Sequence, residues 1–268
     1  MNSEPRMLLG TLLPPGRMIR SDEGDGDAQP LWLSDAPVSA ALWTRIRAEH
    51  GRTGLWPLLL DALDPGDGEF RPWESGELFP DSVSSSETHD PAELLAYWWQ
   101  EHTAVDEDDD PLAPDERLAV TAPFGARWPG LAPRHTAVGD PDELADEYAE
   151  HFAAGRPHLR LGLVVAGCGA DALTVAGWGG PVNYGGIAKF SAVVRDWEQR
   201  FGARVVAVGF STLHLSIATP PTRMEDALLI AAEHFAFCPD NIWQGSYPTL
   251  TSYAEQLVDV NCWDFWWD

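Results

Sequence analysis

Apolar and polar positions follow two regimes that meet near residue 158. Beyond it the pattern is regular. Leu159 to Ala166 (LRLGLVVA) predicts a strand, and a short helix follows around Ala170 to Ala176. From Ile187 to Phe201, apolar residues recur at Phe190, Val193, Val194, Trp197 and Phe201, the one-sided spacing of an amphipathic helix. Arg204 to Val208 and Leu213 to Ala218 are β-rich runs joined by Gly209-Phe210-Ser211-Thr212, which reads as a hairpin. Thr222 and Glu225 have the spacing of a capping box for a helix through about Phe237, with Met224, Leu228, Ala231 and Phe235 as its buried stripe. A short helix over Leu250 to Leu257 and a last strand over Cys262 to Trp267 complete the part. The order strand, helix, hairpin, helix, strand predicts an α+β sandwich. Its C-terminal core is ferredoxin-like (β-α-β-β-α-β) with extra helices.

Before residue 158 the chain is turn-rich and irregular. Asp35 is a candidate cap for a helix through about His50. Leu55 to Leu63 (LWPLLLDAL) reads as a buried strand, in which Pro57 argues for an edge position or a strand start. Asp90-Pro91-Ala92-Glu93 and Asp140-Pro141-Asp142-Glu143 share a helix-start signature: Asp at the N-cap, Pro first, Glu third. Two domains are therefore expected, an acidic irregular α/β region over 1–158 and an α+β domain over 159–268.

Charge sharpens this division. The chain has 42 acidic and 17 basic residues, a net charge of −25, and Lys189 is its one lysine. Residues 159–268 hold 11 acidic and 6 basic side chains, so most of the negative charge precedes them. Such a surface repels phosphate backbones and anionic membranes, which excludes nucleic-acid binding and favours a basic protein partner. Prolines at 5, 14 and 15 interrupt any secretory apolar run, and Leu161 to Trp178 contains Asp171 and four glycines. Three scattered cysteines form no disulfide framework. A cytoplasmic protein is expected.

Several C-terminal segments carry a resemblance. Gly177-Trp178-Gly179-Gly180-Pro181, Trp197-Glu198-Gln199-Arg200-Phe201-Gly202-Ala203, Ala232 through Asp240 (AEHFAFCPD) and Trp263 through Asp268 (WDFWWD) closely resemble a bacterial family, domain of unknown function 4253. The likeness covers about 159–268 and touches Thr53-Gly54-Leu55-Trp56-Pro57-Leu58. It implies no activity, cofactor or catalytic residue.

Candidate chemistry comes from the residues themselves. His234 and Cys238 lie one helical turn apart, a spacing that suits a shared metal ion or a thiol–imidazole pair. His214 is a third candidate ligand, and Glu233 and Asp240 complete a possible catalytic group. The bland reading is a helix end packed on the sheet, because Cys is commonly buried without any chemistry. With no HExxH, CxxC or second nearby cysteine, no metal and no cofactor are expected. The loop Gly177 to Gly186 leads into a helix, making Gly179, Gly180, Gly185, Gly186 and Lys189 an anion-binding candidate. A tight connection with Asn183 or Tyr184 near the N-cap explains it equally well. Among 13 tryptophans, Trp98, Trp99, Trp263, Trp266 and Trp267 are candidates for partner binding, although alternation turns at least two of the last three inward. The run Asp106 to Asp110 reads as a solvated loop rather than a calcium site.

The reading that follows is a non-enzymatic interaction protein with a basic partner, with a neutralising role like that of an immunity protein toward a toxin as one form of it. The alternatives are a small hydrolase or metal-dependent enzyme using His214, Glu233, His234 and Cys238, and a carbohydrate-binding module.

Overall fold

The structure, a computed structural model, describes residues 13–22, 28–64, 66, 69–80, 85–104, 113–134 and 139–268. The acidic run 106–110 lies outside these. Along the chain come β1 (Gly16–Ile19), β2 (Leu31–Ser34), α1 (Ala40–Ala48), α2 (His50–Thr53), β3 (Leu55–Leu60), α3 (Pro91–Thr103), α4 (Pro114–Val120) and α5 (Pro141–Ala154). Then follow β4 (Arg160–Val165), α6 (Gly169–Ala176), α7 (Ile187–Phe201), β5 (Arg204–Val208), β6 (Thr212–Ser216), α8 (Met224–Phe237), α9 (Asp240–Trp243), α10 (Leu250–Glu255) and β7 (Cys262–Trp266). No helix among the described residues is long and apolar enough to cross a membrane.

The α+β class is as expected, but the sheet does not divide at residue 158. The seven strands among the described residues form one sheet in the order β1-β2-β4-β3-β5-β6-β7. β4 pairs antiparallel with both β2 and β3, and β3 pairs in parallel with β5. The predicted succession of strand, helices, hairpin, helices and strand is present over 160–268. Its first strand nevertheless meets the hairpin only through β3, a strand of the N-terminal part. The charge step therefore marks a change of surface, while the hydrogen-bonded ladder continues beneath it.

Pro57 lies in the middle of the sheet and not at its edge. The Asp61 N–H reaches the Val208 carbonyl, so odd-numbered residues of β3 turn their N–H groups toward β5. The β3–β5 ladder begins only at Leu59, so the donor that proline lacks would face a side with no ladder. The Pro57 carbonyl accepts from Trp43 Nε1 at 2.9 Å, which leaves nothing unpaired.

Alternation assigns the sheet's two faces. Leu55 and Leu59 join Trp43, Ile46, Ala149 and Phe152 beneath α1 and α5. Trp56, Leu58 and Leu60 join the larger core under α3, α6, α7 and α8. Trp197 sits centrally there, stacked on Phe265 at 5.4 Å and edge-on to Trp263 at 5.4 Å. Each fully buried ring of this kind contributes about 1.5–3 kcal/mol.

Local signals place several elements as predicted. Asp90 caps α3 by accepting from the Ala92 and Glu93 N–H groups, and Asp140 caps α5 through Asp142. Two caps differ. Helix α1 starts after Ser39 rather than Asp35, and α8 starts after Arg223, with no side-chain cap from Thr222. Of the stripe expected on α8, Ala231 and Phe235 are buried, whereas Met224 and Leu228 in the first turns are half-buried and Ala227 is buried instead. From Ile230 to Phe237 every residue is buried, because α3 and α10 enclose the side turned away from the sheet.

Candidate functional site

Glu233, a member of the predicted catalytic group, is fully buried and fully engaged. It accepts from the Ala132 N–H at 2.7 Å, Trp197 Nε1 at 2.7 Å and both terminal nitrogens of Arg200, at 2.9 and 2.5 Å. Arg200 also binds Asp196 and the Ala132 carbonyl. Burial works against the Arg200 charge, but the Glu233 carboxylate outweighs it and raises the guanidinium pKa. This group fastens residues 131–134 to α7 and α8.

His234 and Cys238 are both buried, and each is committed to backbone or phenol. Asn241 Nδ2 donates to the Tyr253 hydroxyl at 3.2 Å, which leaves that hydroxyl to donate to His234 Nδ1 at 3.1 Å. His234 Nε2 is buried without a hydrogen-bond partner among the described residues, enclosed by the rings of Trp197, Trp263 and Phe265. Burial, with Arg200 nearby, pushes its pKa down to about 3. Cys238 ends α8, and its thiol donates to the Trp266 carbonyl at 2.9 Å. Burial raises the thiol pKa, the opposite of an activated nucleophile.

His214 does not join them. Leu213 and Leu215 face the α8 side of β6, so the intervening imidazole turns to the other face. There its Nδ1 meets Asp264 Oδ1 at 2.6 Å and its ring lies 4.5 Å from Phe152. The Tyr148 hydroxyl donates to the same Asp264 oxygen at 2.9 Å. Burial would raise the Asp264 pKa, but His214 holds it below the usual range. The predicted trio of His214, His234 and Cys238 is thus split between two faces of the sheet. No three His, Cys, Asp or Glu side chains among the described residues are grouped to hold a metal ion.

Asp240 is buried and ties two segments together. It accepts from the Tyr184 hydroxyl at 2.8 and 2.9 Å, from Gln244 and from the Asp268 N–H at 3.1 Å. Asn183 Nδ2 adds a bond to the Asp268 carbonyl at 2.9 Å. The glycine loop and the chain's last residues are thereby fixed against one another. Gly186, and not Asn183 or Tyr184, is the N-cap of α7.

These ties build the walls of a cleft of about 440 Å³. Trp178 supports one wall from behind, its Nε1 donating to the Gly209 and Phe210 carbonyls at 2.9 and 3.2 Å. Gly180 allows this approach, since a Cβ there would lie 1.9 Å from the Trp178 ring. Gly177, at φ +68°, packs directly on the Phe79–Pro80 backbone, where a side chain would overlap it. Phe79, Val182, Phe210, Trp266 and Leu63 line the cleft, with Glu77 and Asp268 as its carboxylates. Of the predicted anion-binding residues, Gly179, Gly185, Gly186 and Lys189 line a smaller neighbouring cavity of about 170 Å³, and Gly180 lines the larger cleft. Phe79, Trp178 and Ile187 make the smaller cavity's wall largely apolar.

The tryptophans divide cleanly. Trp98, Trp99, Trp263 and Trp267 are core residues, at most 6% exposed, whereas Trp266 is 40% exposed and opens onto the cleft. Sequence reasoning missed Asn241, Tyr184 and the cleft itself. Leu63 was expected in the buried strand from Leu55, but that strand ends at Leu60 and leaves Leu63 exposed, while Phe79 and Phe210 come from separate connections.

No curated protein and no solved structure matches the chain. Residues 160–268, which supply most of these walls and ties, match the family described as domain of unknown function (DUF4253).

Proposed function

We propose that the chain is a non-catalytic interaction protein of the bacterial cytoplasm that receives a basic protein partner at the Trp266 cleft. One observation carries this reading. Seven large apolar side chains are exposed among the described residues, and three of them, Leu63, Val182 and Trp266, converge on this one cleft. Exposed apolar groups gathered in one place are the mark of a docking site, and Trp is the residue type most enriched among binding hot spots. The net charge of −25 selects a cationic partner and speeds its approach. A neutralising role against a cationic toxin fits the same features. The hydrolase reading draws less support, because Glu233, His234, Cys238 and Asp240 are buried and engaged in hydrogen bonds that tie segments of the fold together.

The test is affinity purification of the tagged chain from its own host, beside a Val182→Asp, Trp266→Ala variant. A basic protein retained by the native chain and lost from the folded variant is expected. Equal retention by both would overturn the assignment of the cleft.

A further inference from the structure

The chemistry of the cleft points to a particular guest. We infer that it takes a lysine or arginine side chain of the partner, with the aliphatic stem against Trp266 and Val182 and the charge turned to Asp268. The inference rests on the partner-binding reading above and adds the class of side chain recognised.

Three features argue for it. The first is charge. Glu77 and Asp268 line the cleft, and among the described residues no basic side chain does. Glu77 is already neutralised, since both its oxygens accept from Arg71, at 2.6 and 2.7 Å. Asp268 is exposed and enters no ion pair among the described residues. An apolar cleft that keeps one unpaired carboxylate at its edge matches a guest that is aliphatic along its length and cationic at its tip.

The second is aromatic surface. Trp266 is 40% exposed and lines the cleft, and an indole attracts a cation more strongly than other rings do. Phe210, which also lines the cleft, already forms such a pair within the chain. The Arg71 guanidinium lies 5.1 Å from the centre of the Phe210 ring. Its charge is balanced by Glu77, so it does not repel a second cation.

The third is rigidity. The Asp268 backbone is held on both sides by Asp240 and Asn183, and the Trp267 N–H is held by the Ser211 carbonyl at 3.1 Å. A wall fixed in advance loses little freedom when a guest binds. The cleft volume of about 440 Å³ lies within the usual range of ligand pockets, about 300–1,000 Å³.

The experiment uses the full chain and four nine-residue peptides of one neutral sequence, with arginine, lysine, norleucine or citrulline at the centre. Binding is followed by the indole N–H resonance of Trp266, assigned by its loss in Trp266→Ala. Arginine and lysine peptides are expected to shift that resonance and to bind at least about ten-fold more tightly than norleucine or citrulline, a difference of about 1.4 kcal/mol. Asp268→Asn, at an exposed position, should erase most of that preference while leaving norleucine binding unchanged. Norleucine binding as tightly as lysine would overturn the cationic guest and leave the partner site standing. Binding unaffected by Trp266→Ala would remove the cleft, and the partner reading with it. Failure of all four peptides, or binding of a neutral oligosaccharide alone at this resonance, would also overturn the inference.

Discussion

Asn241 stands beside Trp266 as a residue of a neighbouring strand would. Its Oδ1 accepts from the Trp266 N–H at 3.1 Å while its Nδ2 donates to the Asp264 carbonyl at 2.7 Å. These are the outward backbone groups of β7, the last strand of the sheet. The carboxamide thus closes an edge that would otherwise offer a template for pairing. Asn241→Leu should cost about 1–3 kcal/mol, the range for stranding polar groups, and should promote self-association. Urea unfolding and sedimentation velocity measure the two effects, and a strictly monomeric variant of native stability would contradict them.

Cys238 completes the same edge by donating its thiol to the Trp266 carbonyl. Cys238→Ala is expected to destabilise the protein by about 1–2 kcal/mol, as for other small buried side chains. In the native protein Cys238 should be alkylated far more slowly than after unfolding, because burial keeps it a thiol. Rapid native labelling mapped to Cys238 by mass spectrometry would argue for a reactive site.

Glu233→Ala should be among the most damaging single changes, at about 3–5 kcal/mol. It leaves the Arg200 charge buried and Trp197 Nε1 without its acceptor. Glu233→Ala combined with Arg200→Met should recover part of that loss. A double mutant as unstable as the sum of the singles would show that the two residues do not act as a pair.

Stability should fall as pH drops below about 6.5. Burial pushes the pKa of His234 down to about 3 and that of His102 to about 4. Between those values and the ordinary histidine pKa, the unfolded chain binds protons that the native one refuses, so stability rises with pH across that window. Each histidine accounts for roughly 2 kcal/mol of loss by pH 5. Thermal unfolding of His234→Gln between pH 7 and 5 should show a shallower slope than the native chain. An unchanged slope would mean that His234 protonates in the folded state.

Legibility in the sequence followed the range of the forces involved. Helix α7 has the predicted bounds, Ile187 to Phe201, because its apolar spacing is continuous and Gly202, at φ +61°, ends it. Asp90 and Asp140 act within one turn of themselves, so their caps were readable. That at least two of the last three tryptophans turn inward followed from the period of two, and the two are Trp263 and Trp267. Strands β1 and β2 were not readable, being four residues each. The four residues of β2, Leu31–Ser34, are buried on both faces and so show no alternation. The placement of β3 between β4 and β5 was equally hidden, since β-ladders between distant segments leave no local mark. His214 was assigned to the wrong partners for a related reason: only the facing of Leu213 and Leu215 decides which side of the sheet it sees.

The central position of β3 has a consequence for synthesis. Its six residues, LWPLLL, are all buried in the finished protein, and its two partner strands begin only at Arg160 and Arg204. At about 5–20 residues per second, the ribosome leaves this segment without a partner for several seconds or more. An apolar, uncharged run of this length is the kind that pairs with copies of itself on neighbouring nascent chains. Pro57 interrupts it at the one side where the native ladder has no bond to lose, so the residue that costs the fold nothing guards the chain before it folds.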